Sequence, residues 1–117
     1  MPQYYPDGWV MVKVNPNLIK LFASFSGGFT QGDQWRMNSG IVKIVEKEHH
    51  YDVYGSSGSV YNCPKMMEEH LTVYNDDVLN SIFCQWEERF DVVAHRIFMK
   101  DVLECSEKFG VEYIKEV

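Results

Sequence analysis

Serine–glycine runs are where this 117-residue chain could carry nucleophilic chemistry. A nucleophile elbow needs Gly-x-Ser-x-Gly at a strand-to-helix turn, which lifts the hydroxyl above a sheet. Gly55-Ser56-Ser57-Gly58-Ser59 misses that spacing, and Ser24-Phe25-Ser26-Gly27-Gly28 lacks the leading glycine. Both read as strand–turn–strand connections. No glycine precedes a lysine, so a P-loop is excluded. The turn at residues 55–59 keeps only the option of a small anion nest.

Metal ligation needs Cys, His or carboxylate groups at constrained spacing. His49, His50, His70 and His95, with Cys63, Cys84 and Cys105, form neither Cys-x2-Cys nor His-x3-His. Cys63 and His70 could meet only with His49 or His50 brought over from a hairpin. The acid pairs Glu68-Glu69, Asp76-Asp77 and Glu87-Glu88 are chain neighbours, which point about 100° apart on a helix and do not share a reacting atom. No catalytic, cofactor-binding or metal residue is therefore assigned. The polar set left for a small hydrolase or nucleotide-binding enzyme is Arg36, Asn38, Ser39, Ser57 and His49 or His50.

Aromatic residues are in surplus, at 15% of the chain. Most belong to a core, because each large ring removes about 150–250 Å² from water. Tyr4, Tyr5, Phe25, Phe29 and Trp35 instead flank loops, where rings commonly anchor protein interfaces. The candidate interaction surface is Phe25, Phe29, Trp35, Arg36, Asn38, Ser57 and Ser59.

The elements that must position these residues change character near residue 65. Residues 9–14 and 18–25 alternate as strands, separated by the turn Asn15-Pro16-Asn17. Residues 35–37 and 40–46 read as one strand broken at Asn38-Ser39-Gly40. A polar tip at 46–50 leads to strands at 51–54 and 59–63, with Pro64 closing the second. Beyond this, Val78, Ile82, Phe83, Trp86 and Phe90 recur at helical spacing, and the phase continues through Val93, Ile97, Phe98, Val102, Cys105 and Phe109. Asn75 or Asp76 is the expected N-cap, Gly110 the C′ residue, and an interruption is expected within 88–91. Cys84 and Cys105 read as small buried hydrophobes. Residues 111–117 form a closing strand. The expected fold class is α+β: an antiparallel meander of about four strands packed by one or two C-terminal helices, with a final short strand. It is expected as a single domain over residues 1–117, β-rich over 1–65 and helical over 66–117 apart from the terminal strand.

The net charge of −6 sits in the second half. Residues 1–65 hold five acids against six bases, and residues 66–117 hold twelve acids against five bases. This repels phosphate backbones and argues against nucleic-acid binding. It leaves room for a basic partner, or for an acidic surface that mimics a nucleic-acid backbone. No apolar run reaches the roughly 18–20 residues of a membrane span. An odd, widely spaced set of three cysteines and no signal-peptide pattern point to a reducing cytoplasm.

Lys20-Leu21-Phe22-Ala23, Gly27-Gly28-Phe29, Gly32-Asp33-Gln34-Trp35-Arg36-Met37-Asn38-Ser39-Gly40-Ile41 and Tyr54-Gly55-Ser56-Ser57-Gly58-Ser59-Val60-Tyr61-Asn62-Cys63 resemble a family of small accessory proteins encoded by tailed bacteriophages. The resemblance covers residues 19–63, about 45 of the 117. It implies expression in an infected bacterial cell, and it carries over no established activity, catalytic residue or cofactor. It further implies a non-enzymatic protein that binds and modulates a host protein, in host takeover or defence inhibition.

Overall fold

Val10, Val12 and Val14 make one face of a strand and Trp9 and Met11 the other, and all five side chains are buried. Such a strand needs a layer on each side. In a computed structural model, which describes residues 2–26 and 32–117, both layers are present. The strands are β1 (Gln3–Tyr4), β2 (Gly8–Val14), β3 (Leu18–Phe25), β4 (Gln34–Met37), β5 (Ile41–Glu46), β6 (His50–Gly55), β7 (Val60–Pro64), β8 (Ala94–Ile97) and β9 (Glu112–Lys115). The helices are α1 (Val73–Phe90) and the short α2 (Met99–Glu104).

The chain is α+β, as its sequence indicates, but its strands divide between two sheets and do not form one meander. One sheet has the order β4-β3-β2-β8 and the other β1-β7-β6-β5-β9. Trp9, Met11, Ile19, Leu21 and Ala23 of the four-stranded sheet pack on Ile41, Ile44, Val53, Tyr61 and Cys63 of the five-stranded one. On its other face, Val10, Val12, Val14 and Phe22 receive Leu79, Ile82, Phe83 and Trp86 of α1. The layers thus run sheet, sheet, helix.

The break expected in a single strand at Asn38-Ser39-Gly40 is where the chain leaves one sheet for the other. Asn38 donates its N–H to Leu21 O (3.1 Å), and its Oδ1 accepts from Leu21 N (2.8 Å). Its side chain therefore completes the ladder in place of a backbone carbonyl. Gly55 leaves room for this amide, since a Cβ there would lie 3.2 Å from Asn38 Nδ2.

The helical half differs more. Thr72, not Asn75 or Asp76, caps α1, its side chain accepting from Asn75 N (3.1 Å). Asn75 is fully buried and donates from Nδ2 to Ser24 Oγ and Gln34 O. The helix ends within the expected interval, with Asp91 left-handed at φ 55°. The chain then forms β8, antiparallel to β2 from Val14↔Ala94 to Met11↔Ile97. The four-residue step from Val93 to Ile97 mimics a helix, but β2's open edge offers these residues a ladder. Only the six residues of α2 resume the helix, and Met99 and Val102 plug the end of the inter-sheet core. Gly110 (φ 68°) closes the turns after α2 and caps no long helix. Cys84 and Cys105 are exposed. The closing strand exists as β9, an edge strand parallel to β5.

Candidate functional site

β4 is an edge strand whose residues alternate between the two faces of its sheet. Trp35 faces the helix side and stacks on buried Phe22, with ring centroids 5.6 Å apart and planes at 17°. It nevertheless keeps 41% of its surface exposed. Arg36 takes the opposite face, its guanidinium carbon 4.3 Å from the centre of the Tyr4 ring. Tyr4 in turn stacks on core Tyr61 at 5.0 Å. Tyr4, Phe25, Gln34, Trp35 and Arg36 line one hollow of about 190 Å³. Both large side chains therefore rest on rings rooted in the core, which limits the rotamer freedom they have left to lose on immobilisation.

Among the described residues Arg36 has no ion-pair partner. The sequence over 27–31 contains no acid to supply one. Phe25, Trp35 and Arg36 thus line one hollow at the β4 edge, with Trp35 and Arg36 on opposite faces, whereas Phe29 lies outside the described residues. Asn38 is buried in the role given above. Ser59 is buried and its carbonyl accepts from Gly55 N (2.8 Å); Ser57 is exposed on the same turn. Ser39 and Ser56 share a hydroxyl–hydroxyl bond of 2.6 Å.

The polar set considered for hydrolysis is not assembled. His50 opens β6 and Ser57 follows its far end, so the strand of six residues separates them. His49 is exposed, and its imidazole lies 3.5 Å from Glu48. The Cys63–histidine arrangement fails for a related reason. Cys63 opposes Tyr51 on the inner face, while His50 opposes Pro64 on the outer one. Burial also pushes the Cys63 thiol up, away from the thiolate a metal needs. No group of three potential His, Cys, Asp or Glu ligands occurs among the described residues. No helix among them is long and apolar enough to cross a membrane.

The acids of the second half are partly engaged within the fold. Glu68 Oε2 accepts from Met99 N (2.6 Å) at the start of α2, and Arg96 Nη2 meets Asp76 at 2.7 Å. Glu116 pairs with Lys47. Glu69 also lies 3.7 Å from Arg96, and the remaining acids are spread over α1 and its C-cap, α2, the turns after it, and β9, which places them on separate elements.

The outer face of the five-stranded sheet carries a hollow that the linear sequence does not reveal. Gln3, Tyr5, His50, Asp52, Tyr54 and Asn62 line about 220 Å³ there, with His50 Nε2 3.3 Å from Asp52 Oδ1. The hollow depends on parallel pairing of β1 with β7, which joins residues far apart in the chain.

Glu46 forms the clearest electrostatic centre. Its carboxylate accepts from Lys65 Nζ (2.7 Å) and from the Tyr113 hydroxyl. The Lys65 bond, then the Tyr113 bond, hold Glu46 below its ordinary value, and the same carboxylate pushes Tyr113 up to about 12. A lowered acid stabilises the fold above its unfolded value of 4.5, and that contribution fades as pH falls past it. A raised phenol stabilises below pH 10, and its contribution fades as pH climbs to about 12. Denaturation midpoints measured against pH should therefore fall at both extremes. Glu46→Gln should flatten the acid limb and Tyr113→Phe the alkaline one. Unchanged limbs in both variants would show that this cluster does not govern them.

Comparison with protein-family models, with curated proteins and with solved structures finds no match.

Proposed function

We propose that this chain is a non-enzymatic binding protein that docks on a partner protein through the Trp35–Arg36 edge. The observation carrying this reading is an exposed tryptophan and an unpaired arginine, each seated on a core-anchored ring, on one edge strand. Tryptophan, tyrosine and arginine are the residues on which interface energy most often concentrates. Among the described residues β4 is also an edge strand with one flank unpaired, to which a partner can add a strand. The resemblance of residues 19–63 to small accessory proteins of tailed phages supplies the context. The partner would be a host protein, met in the bacterial cytoplasm during infection and modulated by binding.

The test is affinity purification of the tagged full chain from host cells, beside Trp35→Ala, Arg36→Ala and a distant surface control, Glu104→Gln. A stoichiometric partner should be retained by the control and lost by either β4 variant. Each truncation of an interface anchor should weaken binding by about 2 kcal/mol or more. A partner retained equally by all four proteins, or none recovered by any, would overturn the assignment of this edge.

A further inference from the structure

Lys20 lies on the helix-facing side of β3, beside the last turn of α1. Its Nζ donates to Asn38 O (3.1 Å) and Ser39 O (3.0 Å), both neutral carbonyls. Among the described residues it has no ion-pair partner, and residues 27–31 carry no acid. Glu87, Glu88 and Asp91, at the same end of α1, are exposed and do not pair with it. An ammonium has three N–H donors, so one is left over. Half-buried charges are ordinarily paired, because a partner offsets lost hydration. Burial in fact lowers the Lys20 pKa.

Lys20 also lines an apolar hollow of about 200 Å³ formed with Val14, Trp86, Phe90 and Val92. Phe90 leaves 68% of its surface in water, so the wall it contributes is incompletely covered. An apolar cavity of about 150 Å³ suffices to hold benzene. We propose that this hollow is a binding site for a small apolar carboxylic acid, one ring or branched chain in size, whose carboxylate takes the free Lys20 donor. The apolar body fills the space between Val14, Trp86 and Phe90, while the anion supplies the missing counter-charge. A carboxylate also strengthens the bond over a neutral acceptor. This site is separate from the Trp35–Arg36 edge, and neither proposal depends on the other.

Phenylacetate is the probe, with phenylacetamide as its uncharged analogue. Each is titrated into the 15N-labelled full chain while the indole N–H signals of Trp9, Trp35 and Trp86 are followed. Phenylacetate should shift the Trp86 signal saturably at about millimolar concentration, as a ligand of its size allows. Phenylacetamide should bind about tenfold more weakly, the equivalent of one charge-assisted bond. Lys20→Met should weaken phenylacetate to the level of the amide and leave the amide unchanged. Phe90→Ala, at an exposed position that leaves folding intact, should weaken both ligands. The proposal is overturned if no saturable shift occurs, if Trp9 or Trp35 responds in place of Trp86, or if acid and amide bind alike.

Discussion

Replacing Trp9 by alanine is expected to remove about 3–5 kcal/mol of stability, the range for truncating a large buried aromatic. Trp9 is completely buried, and it stands where the two sheets face each other. Its ring meets Tyr51 edge-on at 6.0 Å, and its Nε1–H donates to Pro64 O at 2.7 Å. One side chain on β2 thus fixes the ends of β6 and β7 on the opposing sheet. Truncation would open a cavity between the layers and leave the Pro64 carbonyl without its donor. Trp9→Phe separates these effects. It keeps most of the apolar volume, so its cost should lie toward the lower end of the roughly 1–3 kcal/mol of an orphaned buried acceptor, because Pro64 is only partly buried, and at most half that of alanine. Urea denaturation of both variants gives the comparison. Loss of less than about 1 kcal/mol for alanine would mean that this ring does not join the sheets.

The strands of the first half were legible because two signals agree there. Alternation marks residues 9–14 and 18–25 with Asn15-Pro16-Asn17 between them, and the 55–59 glycines divide the strands at 51–54 and 59–63. What alternation does not carry is the identity of the sheet. β2 is buried on both faces, so its two apolar rows look the same whether they meet a helix or a second sheet. The step from β4 to β5 is likewise invisible, because Asn38 prolongs one ladder with its side chain while the backbone leaves for the other. In the second half the strand hidden within the helical spacing has one source. Val93 and Ile97 fit a helix by spacing, and only the vacant edge of β2 makes Ala94–Ile97 a strand.

The candidate surface divides along the same line. Phe25, Trp35 and Arg36 were readable because aromatic and arginine residues beside a glycine-rich loop have no periodic core to join. Ser57, Ser59 and Asn38 drew attention through their chemistry, whereas turn closure and ladder completion explain where they lie. Lys20 and the outer-face set around His50 gave no linear signal. Lys20 gains meaning only when α1 lies across β3, and His50 and Asp52 only when β1 brings Gln3 beside β7.

Gly8→Ala should be the costliest glycine-to-alanine change among the described residues, at about 4 kcal/mol or more, a magnitude reserved for specific steric or burial failures. A Cβ at Gly8 would lie 1.5 Å from the carbonyl oxygen of His70, a backbone atom with no rotamer through which to retreat. The closeness has a structural purpose. β8 covers only Met11 to Val14 of β2's edge, and the segment before α1 covers the rest. There Glu69 donates its N–H to Trp9 O at 2.8 Å, and Glu68 bridges to Trp9 in parallel fashion. Displacing this segment also withdraws the Glu68 carboxylate from Met99 N, so α2 should loosen together with it. Gly58→Ala is the matched control. Its φ of 96° disfavours a side chain, yet nothing lies within 4 Å of a Cβ there, so the conformational penalty of about 1 kcal/mol acts alone. Urea midpoints should separate the two variants, and amide exchange should report faster opening of residues 99–104 only in Gly8→Ala. Equal midpoints, or exchange in α2 unchanged by Gly8→Ala, would mean that the 68–70 segment does not depend on the bare backbone of β2 for its seat.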